Sequence, residues 1–479
     1  MLLHYLNWLF GLLLLGAALF SAGHALLYRR DPRAALVWIV ICLFVPGIGF
    51  GLYWLLGVNR IRTRARNWQA CGRGMHWLAP AAREVVISAD PVPPFPAENL
   101  AALLHFSNAV TRRPLLPGNR LTILINGSEI FPAMLRAIAK AERNVFLSTY
   151  IFGSDEIGRR FITELAAAAQ RGVTVRVLID ALGERYSLPS ARTLLTRAGI
   201  PTARFLPPFS SWGMFHLHLR NHRKLLTVDG KTGFTGGINI GRSWLSSKID
   251  RGDVVDLHFR AVGPVVAQIE DTFLEDWQFA TGEELVPSPH PLPVEEGNAF
   301  CRGITAGPNE DFEKLRWLVA GALDCARQRV RIMTPYFIPD RGLVSSINSA
   351  ALRGVKVEII LPGSSNLPYV HWATRAYLWE LLDYGARIFY RPAPFAHSKL
   401  LLVDNFFALV GSANLDPRSL RLNFEFNLEV FDPQTVKFLA DHFEQIRRVS
   451  HQVTLAEVDS RSLPARLRDS FCKLFSPYL

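Results

Sequence analysis

The chain has 479 residues, more than one hydrophobic core usually supports, so two globular units with accessory segments are expected. An apolar share of 49% and a mean hydropathy of +0.15 place part of the chain in lipid, and a formal net charge of +12 implies an anionic partner, nucleic acid or an anionic lipid surface. The five cysteines are odd in number and scattered, without CxxC or metal-ligand spacing, which speaks against a disulfide framework.

Residues 2 to 28 carry no charged side chain and are long enough to cross a hydrocarbon layer of about 30 Å as a helix. The segment lacks the basic start and short apolar core of a cleaved signal peptide, so a retained anchor is expected. A basic loop with Arg29, Arg30 and Arg33 leads to a second apolar run at 34 to 57, which predicts a transmembrane helical hairpin over residues 1–57. Within that run Pro46, Gly47, Gly49 and Gly51 are placed to kink the helix or turn it back at the interface, and Tyr53 and Trp54 suit the headgroup zone. The three loop arginines stand against Arg60, Arg62, Arg64, Arg66 and Arg73 beyond the second span, a bias slightly in favour of a cytoplasmic body.

Residues 58–119 read as a juxtamembrane segment and linker, marked by Pro91, Pro93, Pro94 and Pro96. Beyond it, strand-like and helix-like patterns alternate, and the passage with Tyr150 and RGVTV returns later with Tyr336 and RGVKV. An internal duplication accounts for this, with one copy at 120–285, a stiff connector at 286–298 containing Pro287, Pro289, Pro291 and Pro293, and a second copy at 299–455. Each copy is predicted to be an α/β sandwich, a sheet covered by helices. Residues 456–479 form a basic amphipathic C-terminal segment, in which Arg466, Arg468 and Lys473 mix with Phe471, Phe475 and Tyr478.

Each copy holds one H-x-K-x4-D motif, His222, Lys224 and Asp229 in the first and His397, Lys399 and Asp404 in the second. Only nine of the 53 basic residues are Lys, so a Lys at both motifs stands out. GGIN and GSAN then place Asn239 and Asn414 each 17 residues after their His. Positions i and i+2 of a strand share a face, so each His points with its Lys. If the copies pack about a pseudo-twofold axis, two His, two Lys and two Asn amides converge on one phosphate and can stabilise the charge that grows on a pentacovalent phosphorus. One His must be neutral to attack and the other protonated to release the leaving alcohol.

Asp229 and Asp404 fall on the opposite face of a regular strand and each begins a turn, so mainly structural roles are expected. Asp256 in DVVDLHF and Glu425 in NFEFNLEV are the carboxylates better placed to orient an imidazole through Nδ1, and the sequence leaves open which serves which.

The doubled motifs with GGxN and GSxN resemble the phospholipase D superfamily from about residue 120 to 450, and VPGIGFGLYWLLG with GSANLDPRSLRLNFEFN is similar to the bacterial cardiolipin synthases. The resemblance implies two tandem phospholipase D-like domains after an N-terminal membrane anchor, and includes Asp229 and Asp404 in the catalytic signature. It implies phosphatidyl transfer between two phosphatidylglycerol molecules through a phosphohistidine, giving cardiolipin and glycerol, with no metal and no cofactor. The implied partners are phosphatidylglycerol and anionic lipid of a bacterial cell membrane rather than nucleic acid. The motif fixes the mechanism more closely than the substrate, so a membrane-anchored hydrolytic phospholipase D or nuclease stands as the alternative. An apolar loop at 207–215 and the C-terminal segment favour lipid. One departure bears on the acceptor: the family pattern implies an aromatic and an Arg ahead of the first downstream carboxylate, whereas Val254 and Val255 precede Asp256.

Overall fold

A computed structural model describes residues 2–29, 32–57, 92–94, 99–207, 219–245, 254–288, 296–308 and 313–476. Most of the 207–215 loop, Pro289, Pro291 and Pro293 of the connector, the arginines from Arg60 to Arg73 and Tyr478 lie outside them. The N-terminal apolar segment and the body that follows are separate compact units.

In the N-terminal unit the helix Leu2–Tyr28 contains a stretch, His4–Tyr28, with the length and hydropathy of a membrane span. The second apolar run is interrupted at Pro46 and Gly47, among the residues placed to kink it. It is helical over Pro32–Phe44, breaks at Val45 to Gly47, and resumes as the short helix Ile48–Leu52 and a π-helical turn Tyr53–Gly57. Pro46 lacks the N–H a continuous helix needs. Gly49 then lies so close to the Ile41 carbonyl that a Cβ there would collide with it. Among the described residues, one helix has the length of a span. The returning chain closes on the first helix through small residues, Ala18, Ala22 and Ala25, and Trp54 Nε1 donates to Ser21 Oγ at 2.9 Å.

The body is built on strands β1 (Leu116–Ile125), β2 (Asn144–Thr149), β3 (Thr174–Asp180), β4 (Thr202–Phe205), β5 (Leu225–Val228), β6 (Thr232–Gly236), β7 (Val254–Val255) and β8 (Leu257–Val262) in the first copy. The second copy holds β9 (Ala299–Ala306), β10 (Arg329–Met333), β11 (Lys356–Pro362), β12 (Arg387–Arg391), β13 (Phe395–Ala396), β14 (Leu400–Val403), β15 (Phe407–Gly411), β16 (Glu425–Phe431) and β17 (His451–Val453). One copy runs β1-β8-β6-β5-β2-β3-β4 and the other β9-β16-β15-β14-β10-β11-β12, the same order twice, joined where β1 pairs antiparallel with β9. The duplication read in the sequence is therefore a duplication of topology. β17 is an addition, antiparallel to β12 at the outer edge.

Alternation along the strands divides the core into layers. Val145 and Leu147 of β2 face the helices Asn126–Ala139 and Glu156–Gln170, while Phe146 stacks on Phe273 of the helix Val265–Thr281 at 5.1 Å. On that second face the copies share one core, in which Leu225, Leu257 and Phe259 pack in one cluster with Met333, Leu400 and Phe426. Part of the stretch expected as linker belongs to this architecture. The helix Leu100–Thr111 buries Leu100, Leu103 and Leu104 in the core of the second copy, although the first copy follows it in the chain.

Candidate active site

The two histidines sit where each copy is stitched to the other. His222 N donates to Phe424 O and Phe424 N to Arg220 O, both at 2.8 Å, while β13 runs parallel to β7 and His397 N donates to Val255 O at 2.8 Å. Each backbone link stands one residue ahead of a downstream carboxylate, so the pairing is crosswise. His222 Nδ1 lies 3.0 Å from Glu425 Oε2, and His397 Nδ1 lies 2.7 Å from Asp256 Oδ2. With Nδ1 donating to a carboxylate, Nε2 is the nitrogen left to react or to carry a proton. Lys224 Nζ donates to the His222 carbonyl at 2.6 Å, and Lys399 Nζ donates to the His397 carbonyl and lies 2.8 Å from His397 Nδ1.

These groups are buried, except for the partly exposed His222, and close enough to act on one another. Burial lowers both imidazoles, His397 to about 3 with Lys399 adding to the effect, while Glu425 partly counters the fall at His222. Burial pushes the ammonium groups down too, Lys224 to about 7 and Lys399 to about 8. Burial by itself would raise Asp256 and Glu425, yet Lys399 and His397 hold the first below its ordinary range, and His222 and Lys224 hold the second. The site thus pairs ionised carboxylates with neutral imidazoles. It has the makings of an anion site, because a bound phosphate would restore charge to both Lys.

Asp229 and Asp404 stand apart from this cluster. Asp229 accepts the backbone N–H groups of Glu142, Arg143 and Asn144 at 2.7–3.0 Å, and Asp404 those of Arg327, Gln328 and Arg329 at 2.8–3.2 Å. Both adopt a left-handed backbone, φ 56° and 52°, at the turn that follows the motif strand. Each ties that turn to the start of the neighbouring strand, β2 or β10. Asn239 Oδ1 accepts Ile151 N at 3.2 Å, and Asn414 Nδ2 donates to Ser419 Oγ at 3.2 Å, where Asn414 lines a small cleft with Lys399. Among the described residues no group of three or more His, Cys, Asp or Glu is placed to hold a metal ion.

Comparison with known proteins gives the family. Residues 134–277 and 319–447 match the family described as "Cardiolipin synthase, PLD-like domain", and residues 16–57 match "Phospholipase_D-nuclease N-terminal". The chain belongs to the PLD-like cardiolipin synthase family. It is 32% identical to the major cardiolipin synthase ClsA of Bacillus subtilis over 94% of this chain and 95% of that one. It is also 32% identical to a cardiolipin synthase of Oceanobacillus iheyensis over 95% of each. The solved phosphatidylserine synthase of Haemophilus influenzae Rd KW20 superposes with a TM-score of 0.59 at 17% identity, covering 79% of this chain and all of that one, a likeness of fold.

Several residues of this cardiolipin synthase family member that shape the site were not among those the motifs single out. Tyr150 stands edge-on to His222 at 5.4 Å, and Tyr336 and Trp244 edge-on to His397 at 6.4 and 4.9 Å. The two tyrosines were visible in the sequence as landmarks of the repeat, a signal of shared position that carried no hint of contact with the histidines. Asp180 accepts Asn221 N and pairs with buried Arg220, and Asp276 accepts from Arg223 and Asn221, so two carboxylates grip the residues on either side of His222. Glu425 gains further donors in Ser412 Oγ at 2.5 Å and Asn423 Nδ2 at 3.1 Å. The matching position beside Asp256 is Gly237, where a Cβ would run into the carboxylate. This is the physical content of GG in one copy and GS in the other.

Proposed function

We propose that this protein joins two phosphatidylglycerol molecules into cardiolipin and glycerol through a phosphohistidine, in the membrane of a bacterial cell. The observation that carries the reading is the crosswise arrangement of two imidazoles, each with Nδ1 held by a carboxylate of the other copy and each followed by a buried Lys. Membership of the cardiolipin synthase family, and the names of the relatives, support the substrate.

One imidazole attacks phosphorus through Nε2, and the bond from phosphorus to the glycerol oxygen breaks. The other imidazole, its hold on a proton raised by the anionic substrate, gives that proton to the departing glycerol. The terminal hydroxyl of a second phosphatidylglycerol then attacks the phosphohistidine, that second imidazole takes its proton, and the P–N bond breaks to release cardiolipin. Lys224 and Lys399, with the amides of Asn239 and Asn414, stabilise the charge on the equatorial oxygens. Asp256 and Glu425 fix the reactive tautomers, and Asp229 and Asp404 serve the fold. The N-terminal segment anchors the enzyme as a hairpin of two crossings, with the body on the cytoplasmic side.

The test is purified full-length enzyme in anionic lipid with phosphatidylglycerol labelled in its terminal glycerol. Cardiolipin and free glycerol in equal amounts are expected, unaffected by chelator. Phosphatidic acid as the sole product overturns transfer in favour of hydrolysis, and cleavage of nucleic acid with no lipid turnover overturns the lipid reading.

A further inference from the structure

The C-terminal helix Leu463–Leu474 presents an apolar stripe to solvent although it is packed on the body by its other side. Leu463, Leu467, Phe471 and Leu474 are 67, 62, 61 and 74% exposed, and their spacing of four, four and three residues puts them on one face. Phe475 extends the stripe, its ring edge-on to Phe471 at 5.3 Å.

The opposite face is committed to the fold. Asp469 is 1% exposed and accepts from Arg461 and Arg468 at 2.7 Å, and Cys472 packs into the small cluster of Ile338, Val370 and Ala373. The helix is therefore held in place with its stripe turned outward, and a frayed tail does not account for the exposure.

Charge frames the stripe on both sides. At 100° per residue, Arg466 and Lys473 fall along one border and Arg468 along the other. Lys473 Nζ lies over the Tyr377 ring at 4.1 Å and the Arg468 guanidinium over the Trp372 ring at 4.4 Å, so ring contacts, joined at Arg468 by its pair with Asp469, hold both cations at the border. Bulky apolar side chains edged by cations, on a short helix that is otherwise polar and charged, are the pattern of a helix that lies in an anionic lipid surface. A protein partner would have to match the cations with acidic groups one by one, whereas an anionic bilayer supplies them everywhere.

We propose that this helix is a second lipid contact of the body, seated in the headgroup layer of an anionic bilayer with Leu467, Phe471 and Leu474 toward the acyl chains. The contact has a consequence for the histidine site. The cluster that receives Cys472 also contains Tyr336, whose ring is 6.4 Å from that of His397. A helix pinned to lipid thus holds the Tyr336 side of the site beside the surface from which a lipid substrate must come. This last step rests on the proposed function; the docking itself does not.

The test uses the full chain carrying Phe471→Trp, a change at an exposed position, in vesicles of phosphatidylglycerol and phosphatidylcholine whose acyl chains are brominated. The added emission, taken as the difference from the unaltered chain, is expected to be quenched about twofold by bromine and shielded from aqueous iodide, with less quenching for Arg466→Glu or in pure phosphatidylcholine. Equal access to iodide with and without vesicles overturns the proposal. Shielding from iodide without quenching by bromine, and dependent on protein concentration, overturns it in favour of contact with a second copy. None of these outcomes depends on turnover, so a failure of the proposed reaction leaves the docking result readable.

Discussion

Asp256 reaches His397 and Glu425 reaches His222 across the junction of the copies, so neither half of the chain contains an oriented imidazole by itself. Replacing either carboxylate by its amide leaves the volume unchanged and removes the ionised acceptor. Asp256→Asn and Glu425→Gln are each expected to lower kcat by about 10²- to 10⁴-fold, against complete loss for His222→Ala or His397→Ala. Histidine NMR separates the crosswise pairing from its alternative: Asp256→Asn should move the His397 ring signals and leave those of His222 nearly in place. The reverse response contradicts the pairing. The lysines carry a second prediction. An ammonium that has lost its proton does not attract phosphate, and burial brings Lys224 to about 7 and Lys399 to about 8 in the free protein. Because kcat/KM reports the free enzyme, it should fall as pH rises through that range. The imidazoles are lowered, so the need for a neutral nucleophile is met already below the ordinary histidine range, and the acid limb should lie there. A kcat/KM that keeps rising to pH 9 would contradict the assignment.

At the scale of elements, the turn aspartates show how a residue of the motif can be separate from its chemistry. Asp229 and Asp404 each gather three backbone N–H groups, and Asp404 is itself anchored by Asn99 Nδ2 at 2.8 Å, just ahead of the helix Leu100–Thr111. Asp229→Ala or Asp404→Ala strands those donors and should cost on the order of 3 kcal/mol of stability. Urea unfolding in detergent measures it, and the surviving folded fraction should keep most of its activity per molecule. Equal loss of activity without loss of stability would instead place the aspartates in the chemistry. The His, Lys and Asp spacing was legible because it repeats, but His222 and Lys224, like His397 and Lys399, lie just ahead of β5 and β14 rather than on a strand face, and each Lys reaches back to its own His. The carboxylate pairing was not legible, since it depends on one isolated β-bridge and one two-residue parallel pair, which bring together residues 203 and 141 positions apart, and on no local pattern. The helix Leu100–Thr111 escaped for a related reason: prolines precede it, and its leucines find their core in the distant second copy. In the second apolar run the break was legible, because Pro46 and Gly47 stand where the helix stops.

For the whole molecule, two separate apolar features bear on the bilayer, and they differ in physical kind. The helix Leu2–Tyr28 is apolar on every side and, by length, suited to cross, whereas Leu463–Leu474 offers one face and a basic border. Insertion of the first is insensitive to salt; adsorption of the second is not, because screening over about 8–10 Å weakens the pull of Arg466 and its neighbours on anionic lipid. Both histidines, both lysines and the carboxylates Asp256 and Glu425 lie beyond residue 220, and the body forms its own core, so deletion of residues 1–57 should leave the chemistry intact on dispersed substrate. The truncated protein should still sediment with vesicles rich in phosphatidylglycerol at low salt, and lose most of that binding when ionic strength rises to about 0.5 M. Leu467→Ser with Phe471→Ser in the truncated chain should abolish the residual binding at all salt concentrations, since both side chains are exposed and contribute nothing to the core. A truncated protein that folds but turns over no dispersed substrate would make the N-terminal segment part of the catalytic machinery. One that sediments equally well with both side chains replaced would place the second lipid contact elsewhere on the body.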